Sequence, residues 1–198
     1  MEGTVIVISG PAGVGKTTLY EKLLSEFPNS ITQVITATTR HPRGGETNGE
    51  DYLFLSKEDF QEKIRRGDFV EYEKIHENLY GTLLESVTLA LKKSKVILFN
   101  VDVRGANSLK KFFLPKESTM LKFLSVFVMP KSLSELEKRL MLRNSDSHKD
   151  IQIRLETAKD EIAYANSFDQ QILSKDKKTD YQAIRKIVLN FGLEENYN

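Results

Sequence analysis

The chain of 198 residues has no cysteine. Disulfides, thiolate-bound metals and a cysteine nucleophile are therefore excluded. An excess of either charge is also missing, since 29 Lys and Arg against 28 Asp and Glu leave a net charge of +1. A general nucleic-acid binder carries a basic surplus, so no nucleic-acid polymer is expected as a partner. No apolar run reaches the length of a membrane span, and Met1 opens no signal-peptide pattern. No membrane association is expected, and the cytoplasm is the expected compartment. Internal repeats and low-complexity stretches are absent. His41, His76 and His148 are scattered along the chain; they read as solvated loop residues rather than a metal site. A hydrophobic share of 39% and a charged share of 29% suit one globular domain, or one with small insertions.

One stretch organises the rest. Gly10-Pro11-Ala12-Gly13-Val14-Gly15-Lys16-Thr17 has the form Gly-x4-Gly-Lys-Thr, with Thr18 following. It comes after the apolar run Val5-Ile6-Val7-Ile8, which reads as a buried parallel strand. Leu19, Leu23 and Phe27, four apart, place a helix after it. Strand, glycine loop and helix are the context that makes this pattern a phosphate-binding loop. Glycines let the backbone turn its N–H groups onto phosphate oxygens, and the helix start adds its positive dipole end. Lys16 supplies a point charge to the outer phosphates, and the Thr17 hydroxyl is placed to ligate Mg²⁺. Binding of a nucleoside triphosphate follows.

Further along, Ile31 to Thr36 reads as a strand, and 36–52 is a dense polar stretch broken by Pro42, Gly44, Gly45 and Gly49. Arg40 and Arg43 are suited to a phosphate fork, although a solvated loop would carry the same residues. Ser56 is the expected N-cap of a helix stopped by Gly67. Phe69 to Glu73 alternates apolar and acidic residues as a strand, and a helix after Thr82 is expected to turn Leu84, Val87 and Leu91 inward. A buried strand from Lys95 to Val101 leads to Asp102, an acidic residue where a Walker-B aspartate would orient Mg²⁺, and a helix starts at Gly105 and Ala106. After a strand at 121–129, Ser132-Leu133-Ser134-Glu135 is a capping box, and Arg139 and Arg143 share a face of the helix it opens. Asn144 to Lys149 is expected to be a mobile loop. A long helix from Asp150, carrying Arg154 and an inward row ending at Ala165, precedes a strand at 168–173 and a last helix with Tyr181, Ile184, Val188 and Phe191. Residues 192–198 read as a frayed tail. Alternating strands and helices imply an α/β fold with a parallel sheet flanked by helices.

From Thr4 to about Asn190 the chain resembles the guanylate kinases. Beyond the phosphate loop, the resemblance rests on Thr38-Thr39-Arg40-x-Pro42-Arg43-x-Gly45-Glu46-x-x-Gly49-x-Asp51-Tyr52, on Glu71, on Tyr80-Gly81-Thr82, on Asp102 with Gly105, and on Arg139, Arg143 and Arg154. It implies a P-loop NTPase-like core at 1–36 and 84–198, a helical lid at about 139–156, and a small mixed β/α GMP-binding insertion at 37–83. It further implies transfer of the terminal phosphate of ATP to GMP, and to dGMP, with Mg²⁺. Gly10 to Thr18 would bind the donor, with Thr17 and Asp102 at the metal, the latter through water. Arg40, Arg43, Glu46, Tyr52 and Tyr80 would serve the GMP phosphate. Thr36, Glu71, Gly81, Thr82 and Asp102 would serve the rest of GMP. Lys16, Arg40, Arg139, Arg143 and Arg154 would offset charge developing at the transferred phosphoryl group. A monomer and a homodimer are both compatible with this.

The chain departs from the family pattern at several points. Asn100 stands where aspartate is usual, Ala12 where serine is common, Asn144 where glycine is frequent, and Ser174-Lys175-Asp176 where Asn-Asp usually lies near the donor base. Two other readings stay open: a catalytically silent, peptide-binding module of the same fold, and a related P-loop kinase with another phosphorylated acceptor.

Overall fold

The computed structural model describes residues 2–75, 77–114, 120–142 and 148–193. Its core is a five-stranded parallel sheet in the order β2-β7-β1-β8-β9, formed by Ile31–Gln33, Val96–Asn100, Glu2–Ser9, Met120–Met129 and Gln170–Leu173. Val5, Ile6, Val7 and Ile8 of β1 have no exposed surface because the sheet is covered on both faces. Ile6 and Ile8 pack with α1 (Lys16–Glu26) and α7 (Lys177–Val188) through Leu19, Leu23, Ile184 and Val188. Val5 and Val7 belong to the opposite layer, with Val87 and Ala90 of α3 (Leu84–Lys93) and Val103, Leu109 and Phe113 of α4 (Val103–Phe113). Each such side chain contributes ~1.5–3 kcal/mol relative to exposure. An unbroken apolar strand is thus what a central strand of a covered parallel sheet requires.

The second sheet runs β4-β3-β6-β5, from Leu53–Phe54, Ala37–Thr38, Asn78–Leu83 and Phe69–Ile75. β3 pairs antiparallel with β6 (Ala37 with Gly81, Thr38 with Tyr80), and β5 pairs antiparallel with β6 (Glu71 with Thr82). The sheet is followed outward by α2 (Lys57–Arg66), capped by Ser56, whose hydroxyl accepts from the Asp59 N–H, and closed by Gly67. Phe60 of α2 is fully buried and stacks on Phe69, tying that helix to β5.

Several expectations are corrected. The strand expected at 31–36 ends at Gln33, and Thr36 instead accepts the Leu53 N–H through its carbonyl, at the entry to the second sheet. The alternation of β5 is broken by a bulge between Phe69 and Glu71: Glu71 is buried, Tyr72 is exposed, and Val70 packs against the core. Leu84 is exposed, and Ala90 takes its place facing inward with Val87. α4 begins at Val103 because Asp102 caps it by accepting the Gly105 N–H. Only half of the capping box forms. Ser132 caps α5 (Leu133–Met141), but the Glu135 carboxylate turns to Arg139. α6 runs His148–Ala163, so 148 and 149 are helical, while Ala165 is buried in a following 3-10 turn. β9 is shorter than expected because Phe168 packs on Phe127 and Asp169 is held by the Ser125 N–H and hydroxyl. Gly192 and Leu193 are not a frayed tail. They end a π-helical turn in which Leu193 is buried against the core. His76, Arg143, Asn144 and 194–198 lie outside the described residues.

Candidate active site

Parallel register brings the C-terminal ends of the strands level, since Ile8 lies beside Asn100 and Ser9 beside Phe127. Ligands of open α/β sheets bind at this edge, and the phosphate loop leaves β1 there. At Gly10, φ is +138°, and a Cβ would lie 2.4 Å from the Val128 carbonyl oxygen, so only glycine lets the chain leave β1 in this direction. α1 starts at Lys16 with Gly15 as N-cap; no side chain caps it and its first turn holds no acidic residue. Its leading N–H groups and dipole therefore face the loop without a built-in anion. The Lys16 ammonium donates to the carbonyls of Gly10 and, at 3.0 Å, Pro11. Thr17 is exposed and Thr18 half-buried.

The second sheet gathers the residues expected at an acceptor phosphate. The Arg40 guanidinium donates to both Glu46 oxygens, at 2.8 and 3.0 Å, and to the His41 carbonyl at 2.7 Å. It lies over the Tyr52 ring, 5.4 Å from its centroid, and Tyr52 meets Tyr80 edge-on at 6.2 Å. Glu46 holds the Arg40 guanidinium above its ordinary pKa against the opposing effect of burial, and Tyr80 adds to this. Burial first, then Tyr80, raises the Tyr52 phenol. Arg43 is exposed; its N–H donates to Glu46 at 2.7 Å. Glu46 thus braces the Arg40 side chain and the Arg43 backbone.

Beside this cluster stands a buried carboxylate. Glu71 is 9% exposed and accepts the Thr82 hydroxyl at 2.6 Å, with Thr82 fully buried. Burial pushes the Glu71 carboxyl up to about 7; the Thr82 hydrogen bond opposes this, and Asp102 and Glu73 add to it. The Thr82 proton is therefore committed to Glu71, and Thr82 orients the carboxylate. Gly81 is dictated by packing. A Cβ there would meet the Glu71 carbonyl oxygen at 2.8 Å and the Phe69 ring at 2.9 Å. Asp102, at the head of α4, gives one oxygen to the Gly105 N–H at 2.7 Å. Asn100 is half-buried at the end of β7.

The expected arginines divide. The Arg139 guanidinium donates to the Val14 carbonyl at 3.0 Å, to the Ser174 hydroxyl at 3.1 Å and to Glu135 at 2.5 Å. It braces the outer side of the phosphate loop in this structure. Ser174, fully buried, passes its proton to Asp180 at 2.8 Å, which also accepts the Lys175 N–H. Arg154 is half-buried on α6. Arg143 is outside the described residues.

Two residues near the site carried no sequence signal. Tyr20, one turn after Lys16, is half-buried, and burial and the nearby Tyr52 raise its phenol. Glu161 of α6 lines a cavity of about 800 Å³ together with Asp102, Arg104 and residues of β5. Burial raises its carboxyl to about 7, while Lys16 opposes and Asp102 adds to the shift. Neither belongs to a motif, because folding alone brings their helices to the strand ends.

The arrangement is a glycine loop at the strand ends of the first sheet, with an arginine–tyrosine cluster and a fixed carboxylate on the second. The family model described as guanylate kinase matches residues 2–190. A guanylate kinase of Campylobacter jejuni is 40% identical over 189 residues, covering 96% of this chain and 89% of the relative. One from Porphyromonas gingivalis is 40% identical over 188 residues, covering 94% and 97%. The crystal structure of guanylate kinase from Anaplasma phagocytophilum superposes with a TM-score of 0.74 at 26% identity, covering 97% of this chain and 87% of that one. A match of this extent, in sequence and in fold, places the chain in the guanylate kinase family.

Proposed function

We propose that the chain transfers the terminal phosphate of ATP to GMP, and to dGMP, giving ADP and the nucleoside diphosphate. The observation that carries the acceptor assignment is Glu71, a buried carboxylate fixed by Thr82 and set beside Asp102. Guanine offers N1–H and N2–H₂ as adjacent donors to such a carboxylate. Adenine would turn the lone pair of an unprotonated N1 toward the anion. Thr36, at the entry to the second sheet, is assigned to the same base. Arg40, Arg43, Tyr52 and Tyr80 hold the acceptor phosphate, with Glu46 keeping the Arg40 guanidinium in place. Gly10 to Thr18 hold the donor. Lys16 leaves the loop carbonyls for the outer phosphates, and Arg154 and Arg143 offset developing charge. Direct in-line transfer needs no nucleophile from the protein, and its rate comes from positioning and electrostatics.

Mg²⁺ fits the residues present. Mg²⁺ bound mainly through substrate phosphates needs only one or two oxygen ligands from the protein. The exposed Thr17 hydroxyl would supply one oxygen, and Asp102 would act through water. When bound, the ion would supply positive charge that neutralises the donor phosphates.

We assign 1–36 and 84–198 to the core, about 139–156 to its lid, and 37–83 to a GMP-binding unit. Among the described residues no helix is long and apolar enough to cross a membrane. We place the protein in the cytoplasm as a monomer or homodimer; cell fractionation and sedimentation test these two points. The intact Lys16 and Thr17 speak against a silent binding module. The decisive experiment is a coupled ADP-release assay with ATP and GMP, dGMP, AMP, CMP or UMP. Preferential turnover of GMP and dGMP is expected. Equal rates for another monophosphate, or none for any, would overturn the reading.

A further inference from the structure

A line of hydrogen bonds runs from α7 to the phosphate loop. It starts at Asp180, which is buried in the first turn of α7. Asp180 is not the cap of that helix, because Asp176 already accepts the Lys178 and Thr179 N–H groups. One Asp180 oxygen accepts the Lys175 N–H at 2.7 Å, and the other accepts the Ser174 hydroxyl at 2.8 Å. A hydroxyl has one proton and two lone pairs, whereas a carboxylate only accepts. The Ser174 proton is therefore spent on Asp180, and its lone pairs are left for Arg139, which donates to it at 3.1 Å. Ser174 is fully buried, and its own N–H donates to the Met129 carbonyl at 2.8 Å, at the end of β8. The same Arg139 nitrogen, Nη1, donates to the Val14 carbonyl at 3.0 Å. Nη2 is taken by Glu135, one turn back on α5. Val14 belongs to the phosphate loop and is buried in one cluster with Leu136 and Leu140 of α5.

We propose that Asp180 is a positioning residue for the donor nucleotide: through Ser174 and Arg139 it fixes the Val14 carbonyl, and with it the direction of the Gly15 N–H that follows. This rests on the reading of the glycine loop as the donor site. A planar trans peptide turns its C=O and N–H opposite ways. Holding the Val14 carbonyl on Arg139 therefore turns the Gly15 N–H away from Arg139, at the residue that caps α1. Glu135 cannot do this alone. It sits on the same helix as Arg139 and holds only the other nitrogen. Ser174 and Asp180 tie the guanidinium to a second helix and to the end of β8. A loop whose N–H groups are already aimed binds phosphate without first being ordered, and that saving appears as donor affinity. The acceptor nucleotide gains nothing from it.

The test uses the full chain, with titration calorimetry of ATP and Mg²⁺ without GMP, followed by initial rates with both nucleotides. Asp180→Asn keeps the shape and an acceptor for the Lys175 N–H. It offers Ser174 an amide donor, so the hydroxyl proton loses its acceptor. Ser174→Ala cuts the line one link further on and leaves Asp180 on Lys175. Each variant should raise the ATP dissociation constant about threefold to thirtyfold, within the span of coupling inside one hydrogen-bond network. KM for GMP, and kcat at saturating ATP, should stay within about threefold. In an Arg139→Ala background, adding Asp180→Asn should weaken ATP no further, because the line is already cut. Wild-type ATP affinity in both single variants, equal losses for ATP and GMP, or additive losses in the Arg139→Ala background would overturn the proposal. So would a loss of ATP binding matched by a loss of folded protein in circular dichroism, the result expected if Asp180 only held the turn before α7. A wild-type chain that binds no ATP would instead remove the reading of the donor loop itself.

Discussion

At the scale of single residues, charge placement decides function. Lys16→Ala removes the cation of the loop but no packed surface. Its kcat should fall by at least about a hundredfold, while its melting temperature stays within a few degrees; near-normal turnover would refute the donor site. Glu71 is the sharper case. Its folded pKa of about 7 lies above the ordinary 4.5, so the native state keeps a proton that the unfolded chain releases. Its contribution to stability is therefore present below pH 4.5 and lost as pH rises through 7. Without nucleotide, Glu71→Gln should become more stable than wild type across that window, by ~3 kcal/mol at its upper end, as thermal melts at a series of pH values would show. The guanine contact proposed for Glu71 needs the ionised form. Wild-type KM for GMP should drop from pH 6 to 8, while the glutamine variant stays flat and loses about tenfold to a hundredfold in kcat/KM for GMP. Discrimination against AMP should fall with it, and an unchanged GMP/AMP ratio would place the base site elsewhere.

At the scale of elements, two contacts carry predictions. β6 approaches β5 at Gly81 so closely that an added Cβ would collide with backbone and with the Phe69 ring. Gly81→Ala should cost ~1–3 kcal/mol and raise KM for GMP with little effect on KM for ATP; denaturant melts and kinetics together check this. α5 meets the phosphate loop through Arg139, which joins the Val14 carbonyl to Ser174 and Glu135. Removing it frees a loop carbonyl and a buried hydroxyl that is still held by Asp180. Arg139→Ala should therefore raise KM for ATP more than it lowers kcat, since it braces the loop in this structure. A purely transition-state effect, with ATP affinity untouched, would mean that Arg139 moves onto the phosphates.

At the scale of the whole molecule, the proposed site draws on two sheets and on α6. The loop assigned to the donor leaves β1, Glu71 and Tyr80 lie on the second sheet, and Arg154 lies on α6. Groups on separate elements can tighten around a transition state without tightening around the substrates. Arg154→Ala should thus lower kcat by ~10³-fold or more, as for other charge-offsetting arginines, with the GMP dissociation constant within about threefold. Isothermal titration and single-turnover rates separate the two, and an unchanged single-turnover rate would remove Arg154 from the reacting centre.

Local chemistry made much of this legible without coordinates. Val5 to Ile8 could only be a doubly covered strand, and the Gly10 to Thr17 pattern fixes its own loop because glycine and the following helix are needed at adjacent positions. Ser56 and Gly67 bound their helix by bonds that span only three or four residues. The motif residues Arg40, Tyr52 and Tyr80 were also readable, though not the Glu46 brace that pairs with Arg40. What the sequence could not settle depends on long-range packing. The bulge that turns Glu71 inward and Tyr72 outward, the burial of Leu193, the exposure of Leu84 and the use of Asp102 as a cap all arise from how elements meet. Arg139 on Val14 joins positions more than a hundred residues apart. Periodicity reports which side of an element is apolar. It does not report which charged group the closing of the chain will bring opposite another.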